Sequence, residues 1–152
     1  MKLTSFTDYS LRLLMYVAVR NDRLVSIREV SEVFEISRNH LMKIVHGLGK
    51  GHYLETVRGK NGGFRLARAP GDINIGDLVR YTEEDMAVVE CFGDENSNCK
   101  MVEHCMLAGV FHLALESFFD VLDRHSLEDL IEDLAFPEFR PGVKPDPKKV
   151  VS

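Results

Sequence analysis

The chain has 152 residues, 45% of them hydrophobic and 28% charged, which is enough apolar content for a core and excludes wholesale disorder. Its net charge of −5 conceals a split: residues 1–68 carry 12 basic and 6 acidic side chains, residues 69–152 carry 7 and 18. The longest strongly apolar run, Leu13–Val19, falls well short of the roughly 20 residues a bilayer requires, and its surroundings are not those of a secretory signal. The expected location is therefore the cytoplasm, with no membrane partner.

In chain order, Leu11, Leu14, Met15 and Ala18 recur at helical spacing and predict a helix over residues 5–20, capped by Thr7 or Ser5. Asn21-Asp22 breaks it. Ser26-Ile27-Arg28-Glu29 is a capping box opening a short helix, with Ile27, Val30 and Val33/Phe34 on its apolar face. Glu35-Ile36 turns the chain, and Ser37 caps a second helix with Leu41, Ile44, Val45 and Leu48 inward and Gly51 as its C-cap. Tyr53–Val57 and Phe64–Leu66 flank Arg58-Gly59-Lys60-Asn61-Gly62-Gly63, which reads as a β-hairpin around a glycine-rich turn. After Pro70-Gly71, Ile73–Tyr81 predicts a short helical element.

The spacing predicts a long helix over about 103–124, with Leu107, Val110, Phe111, Ala114, Leu115, Phe118, Val121 and Leu122 on a wide stripe. Ser126-Leu127-Glu128-Asp129 opens one more short helix. The last sixteen residues hold four prolines and read as a disordered tail. The expected fold is mainly α with a small β-hairpin. A winged helix-turn-helix domain occupies 1–81 and a cysteine-bearing loop 82–105. A dimerisation helix with a short following helix spans 103–134, and the tail 135–152.

A short capped helix, a turn, a second capped helix and a hairpin together make a winged helix. The second helix begins Ser37-Arg38-Asn39-His40, with Lys43 a turn later. Arg and Asn donate to base edges, while Ser, Lys and helix-start amides hold phosphate. Arg58, Lys60 and Arg65 surround the flexible turn and suit backbone or minor-groove contacts. The competing reading, a solvated charged face on a small helical domain, is disfavoured by the basic half and the basic turn. The expected partner is double-stranded DNA. The wide apolar stripe on the long helix implies a partner surface, with part of it packed on the winged domain of the same chain, and dimerisation would match the two-fold symmetry of a pseudo-palindromic operator.

Cys91, Cys99 and Cys105 place three thiols within fifteen residues, ahead of that helix. An odd number argues against a disulfide framework. Such a cluster suits an iron–sulfur centre, a zinc site or unpaired thiols. Nothing predicts an enzyme: there is no HExxH, no nucleophile–base motif, and Gly59-Lys60-Asn61-Gly62-Gly63 lacks the helix a phosphate loop needs.

Leu3-Thr4-Ser5-Phe6-Thr7-Asp8-Tyr9, Ser37-Arg38-Asn39-His40-Leu41-Met42-Lys43-Ile44 and Val57-Arg58-Gly59-Lys60-Asn61-Gly62-Gly63-Phe64-Arg65-Leu66 resemble the Rrf family of winged-helix iron–sulfur regulators, in particular its nitric-oxide-sensing branch. The resemblance covers residues 1 to about 134. It implies a homodimeric repressor with one cluster per subunit, [4Fe-4S] or [2Fe-2S], held by Cys91, Cys99 and Cys105, with nitric oxide as the signal. Where a related regulator places a ligating His three residues after the last Cys, this chain has Ala108. The family points instead to Asp8 as fourth ligand, reaching across the dimer, with His104 and His112 as other candidates. The competing role for Asp8 is to complement the dipole of the helix start. The alternative function is a sister regulator reporting cluster status or oxidation.

Overall fold

Thr4 stands in extended backbone, φ −62° and ψ 156°, and its hydroxyl accepts the Thr7 N–H. That contact starts α1 (Ser5–Val19), so the cap is Thr4 and neither Thr7 nor Ser5. The computed structural model describes residues 2–87 and 105–132. The buried side of α1 is also turned from the expected stripe. Leu13, Leu14, Tyr16, Val17 and Ala18 are buried, whereas Leu11 and Met15 are half-buried. The physical reason is that α1 is the central element, packed on both the helix-turn-helix and the C-terminal helices.

Ser26 caps α2 (Ile27–Phe34) by accepting the Glu29 N–H, as the capping box predicts. The C-cap Glu35 adopts the left-handed conformation, φ 55°, and the Ser31 hydroxyl donates to the Ile36 carbonyl at 2.7 Å, which closes the turn. Ser37 then caps α3 (Arg38–Lys50) through the His40 N–H, and Gly51 ends it. Leu41, Ile44, Val45 and Leu48 are all buried.

Strands β1 (Leu54–Val57) and β2 (Gly63–Leu66) pair antiparallel, with Glu55 opposite Arg65. Val25 bridges to Phe64 and so ties the chain before α2 to the hairpin. A Cβ at Gly63 would press on the Val25 carbonyl, so glycine is needed where these backbones meet. Pro70–Asp72 forms a single 3₁₀ turn, and Asn74 caps α4 (Ile75–Thr82) by accepting the Asp77 N–H.

Helix α5 (Met106–Leu122) follows, then α6 (Leu127–Glu132), whose Leu127 enters the core beside Ile73. The expected stripe on α5 divides into two. Phe111, Leu115, Phe118 and Leu122 are half-buried, while Leu107, Val110, Ala114 and Val121 are exposed; beyond the expected stripe, Leu113 is exposed at 63% and Met106 at 87%. No helix among the described residues is long and apolar enough to cross a membrane. Cys91, Cys99, His104 and the expected tail at 135–152 lie outside the described residues.

Candidate functional site

Helix α3 offers one apolar and one polar side. Opposite the buried quartet stand Arg38, Asn39, Met42, Lys43, His46 and Lys50, all exposed. Ser37 is exposed at the helix start, where its hydroxyl takes one of the orphan N–H groups and leaves the others open to an anion. His40 lies to one side, its ring edge-on to Tyr9 of α1 at 6.1 Å between centroids.

Among the described residues no carboxylate pairs with Arg38, Lys43, Arg58 or Lys60. Arg65 differs, since it donates to Glu55 across the hairpin at 3.0 Å. The open cations of the wing are therefore Arg58 and Lys60, at its tip beside Gly59 with φ 123°. That positive φ is where the turn requires glycine.

The recognition-type helix is held from behind. The Tyr81 hydroxyl of α4 donates to the Gly47 carbonyl at 2.7 Å. Arg68 donates to the Gly51 and His52 carbonyls and lies 4.5 Å over the Tyr53 ring. Helix α4 also meets α5: Arg80 donates twice to Asp123, at 2.6 and 2.8 Å, and stacks 4.1 Å over Phe119. The Asp123 carboxyl is accordingly held below its usual range, and the Arg80 guanidinium above its own. Just after α4, the Glu83 carboxylate accepts from the N–H and hydroxyl of Thr4, at 2.8 and 3.2 Å. None of these ties has a signature in local spacing, and all were missed at the level of sequence.

At the front of the helix-turn-helix, Glu29 is held by Arg23, which donates to both its oxygens, and by the buried Tyr16, whose hydroxyl donates at 2.7 Å. Arg23 first, with Tyr16 behind it, pulls the Glu29 carboxyl down to about 2. Burial first, then this hydrogen bond, pushes the Tyr16 phenol up to about 12. Arg20 lies 3.7 Å over the Tyr16 ring. This cluster fixes α2 to α1 and so sets the angle at which α3 is presented.

Of the candidate ligands, Cys105 is a half-buried free thiol in the N-cap position of α5. The Cys105 side chain makes no capping hydrogen bond to that helix start. Asp8 lies in the first turn of α1, half-exposed, with its carboxylate on Arg12 at 2.8 Å. His112 sits 3.2 Å from Glu116 on α5. No metal-binding group of three donors occurs among the described residues.

A family model described as "Rrf2: Iron-dependent Transcriptional regulator" matches residues 3–133. This chain belongs to the Rrf2 family. The HTH-type transcriptional regulator NsrR of Bacillus licheniformis is 48% identical over 132 residues, 86% of this chain and 92% of the relative. The NsrR of Bacillus subtilis is 46% identical over 134 residues, 88% and 92% of the two chains. Among solved structures, T. potens IscR superposes with a TM-score of 0.70 at 25% identity, over 88% of each chain. Oxidised CymR of Staphylococcus aureus gives a TM-score of 0.70 at 23% identity, over 87% of this chain and 97% of CymR. The Rrf2 assignment agrees with the mainly helical fold and its two-stranded hairpin. The NsrR relatives are named as transcriptional regulators, not as enzymes.

Proposed function

We propose that this Rrf2 chain is a homodimeric DNA-binding repressor whose operator affinity depends on an iron–sulfur cluster, one per subunit, that reacts with nitric oxide. The observation that carries the DNA reading is the exposed side of α3, where Arg38 and Lys43 stand without carboxylate partners among the described residues. In this reading Ser37 and Lys43 hold phosphate, Arg38 and Asn39 address base edges, and His40 flanks them. Arg58 and Lys60 reach the adjoining groove or backbone, with Arg65 braced by Glu55 behind them. Two copies of α3 meet a pseudo-palindrome about one duplex turn apart.

Cys91, Cys99, Cys105 and Asp8 would hold the cluster. The donor set fits such a group: thiolates are the preferred ligands of cluster iron, and a carboxylate is a harder, more exchangeable fourth donor. When bound, the cluster supplies iron centres open to reaction with nitric oxide. Tight operator binding requires both half-sites to be met at once, so a small change in the spacing of the two α3 helices would release the DNA.

The chain's own residues provide the route between the two sites. Helix α4 is the element before the cysteine-bearing segment, and it grips α3 through Tyr81, α5 through Arg80 and the start of α1 through Glu83. The helix next to the cysteine-bearing segment is thus joined directly to the recognition helix. The winged domain is assigned to 1–81, and the helices at 103–134 supply the dimer contact. The exposed row on α5 supports that assignment.

The test is an anaerobic preparation assayed by absorbance, iron and sulfide content, and operator mobility shift. Ser at Cys91, Cys99 or Cys105 should give colourless protein without specific binding. Added nitric oxide should bleach the wild-type spectrum and release DNA together. Binding that persists after bleaching would favour a regulator responding to some other signal.

A further inference from the structure

Met42 is an anomaly on its own helix. Its side chain is 50% exposed, and every other exposed residue of α3 is polar or cationic. On a helix of 3.6 residues per turn it stands about 40° round from Arg38 and about 60° from Asn39, between them on the side facing away from the core. Isolated exposed apolar residues are ordinary on protein surfaces. This one sits on the face that carries Arg38 and Lys43, which have no carboxylate partner among the described residues, and it is flanked by His46 one turn on. A methionine there spends nothing on a hydrogen bond and offers a long, polarizable thioether to whatever the face meets.

The one apolar group that the major groove presents is the C5-methyl of thymine, which lies beside the acceptors that Arg and Asn address. We propose that Met42 is a specificity-determining residue that packs on a thymine methyl in each half-site, next to the base contacted by Arg38 or Asn39. The proposal rests on the DNA-binding reading above. Its chemistry is contact burial alone: removing the methyl removes the contact, with no donor or acceptor left unpaired. Burial of one methyl-sized group corresponds to a factor of about four in affinity for one half-site, and about fifteen when both half-sites are changed.

The experiment uses the full chain to select duplexes from a random-sequence pool, then replaces each thymine of the selected half-site by deoxyuridine. In the wild-type protein one position should lose about fourfold per half-site. In Met42→Ala that position should become indifferent to the methyl group, while Met42→Leu retains most of the sensitivity. The salt dependence and the preference at positions read by Arg38 and Asn39 should stay as in wild type. Methyl sensitivity that survives in Met42→Ala overturns the proposal and leaves DNA binding intact. So does a wild-type operator indifferent to every thymine methyl. Failure of the wild-type chain to select any sequence overturns the DNA-binding reading, and this proposal with it.

Discussion

The winged domain and α5 treat their apolar residues in opposite ways, although α5 is much the richer in them. In α3, four apolar side chains in a 13-residue helix are buried, and the exposed side is polar apart from Met42. In α5, none of 17 residues is buried within the described chain. The first pattern is that of a helix complete within one subunit. The second is that of a helix with one stripe on its own domain and one that no described residue covers, the stripe that would serve the proposed dimer contact.

The largest effects should separate the two. Leu41→Ala empties a fully buried site and should cost about 2–5 kcal/mol in chemical denaturation. Leu113→Asp touches an exposed position and should leave the circular dichroism of the winged domain unchanged while light scattering reports monomers. Loss of the fold in Leu113→Asp, or a surviving dimer, would break the contrast.

Tyr81→Phe should have a smaller, purely positional effect. It removes the bond to the Gly47 carbonyl, worth about 0.5–1.5 kcal/mol, and keeps the ring on Tyr53. Operator affinity measured by mobility shift should fall, with thermal stability lowered by no more than the loss of that one bond. An unaltered affinity would show that α4 does not set the pose of α3.

Acid should act on the front of the same domain. Because Glu29 titrates at about 2 in the folded chain, below its ordinary 4.5, its contribution is complete above about pH 4.5 and is lost as pH falls toward 2. Glu29→Gln should flatten the stability profile in that window and leave it unchanged near neutrality in slope. The smallest effect is expected at Ser10, whose buried hydroxyl has no partner among the described residues. Ser10→Ala removes an unsatisfied polar group and should be neutral or slightly stabilising by thermal melting.

How far these features were legible in the sequence depended on range. Ser26 and Ser37 were readable as caps because donor and acceptor lie three residues apart, and the inward face of α3 because its period is local. Thr4 was passed over for Thr7 or Ser5, since the choice rests on backbone angles that spacing does not contain. The burial of α1 was misphased because a central helix is covered from more than one side. Arg80–Asp123 and Thr4–Glu83 join residues 43 and 79 positions apart, and nothing in an arginine or a glutamate announces which distant partner it will take. Arg65 was placed with the DNA-facing cations from its charge alone, and its cross-strand pairing with Glu55 emerges only from the register.

Gly76, in the first turn of α4, lies directly under the Arg80–Asp123 pair, and a Cβ there would collide with the Asp123 carboxylate and crowd the Arg80 guanidinium. The bare backbone of Gly76 is thus the bed on which this pair lies. In mechanical terms the pair is a strap across the start of α4 and the end of α5, and glycine is the notch that lets the strap lie flat. Any residue larger than glycine at 76 would lift Asp123 off Arg80 and loosen the tie between the two helices.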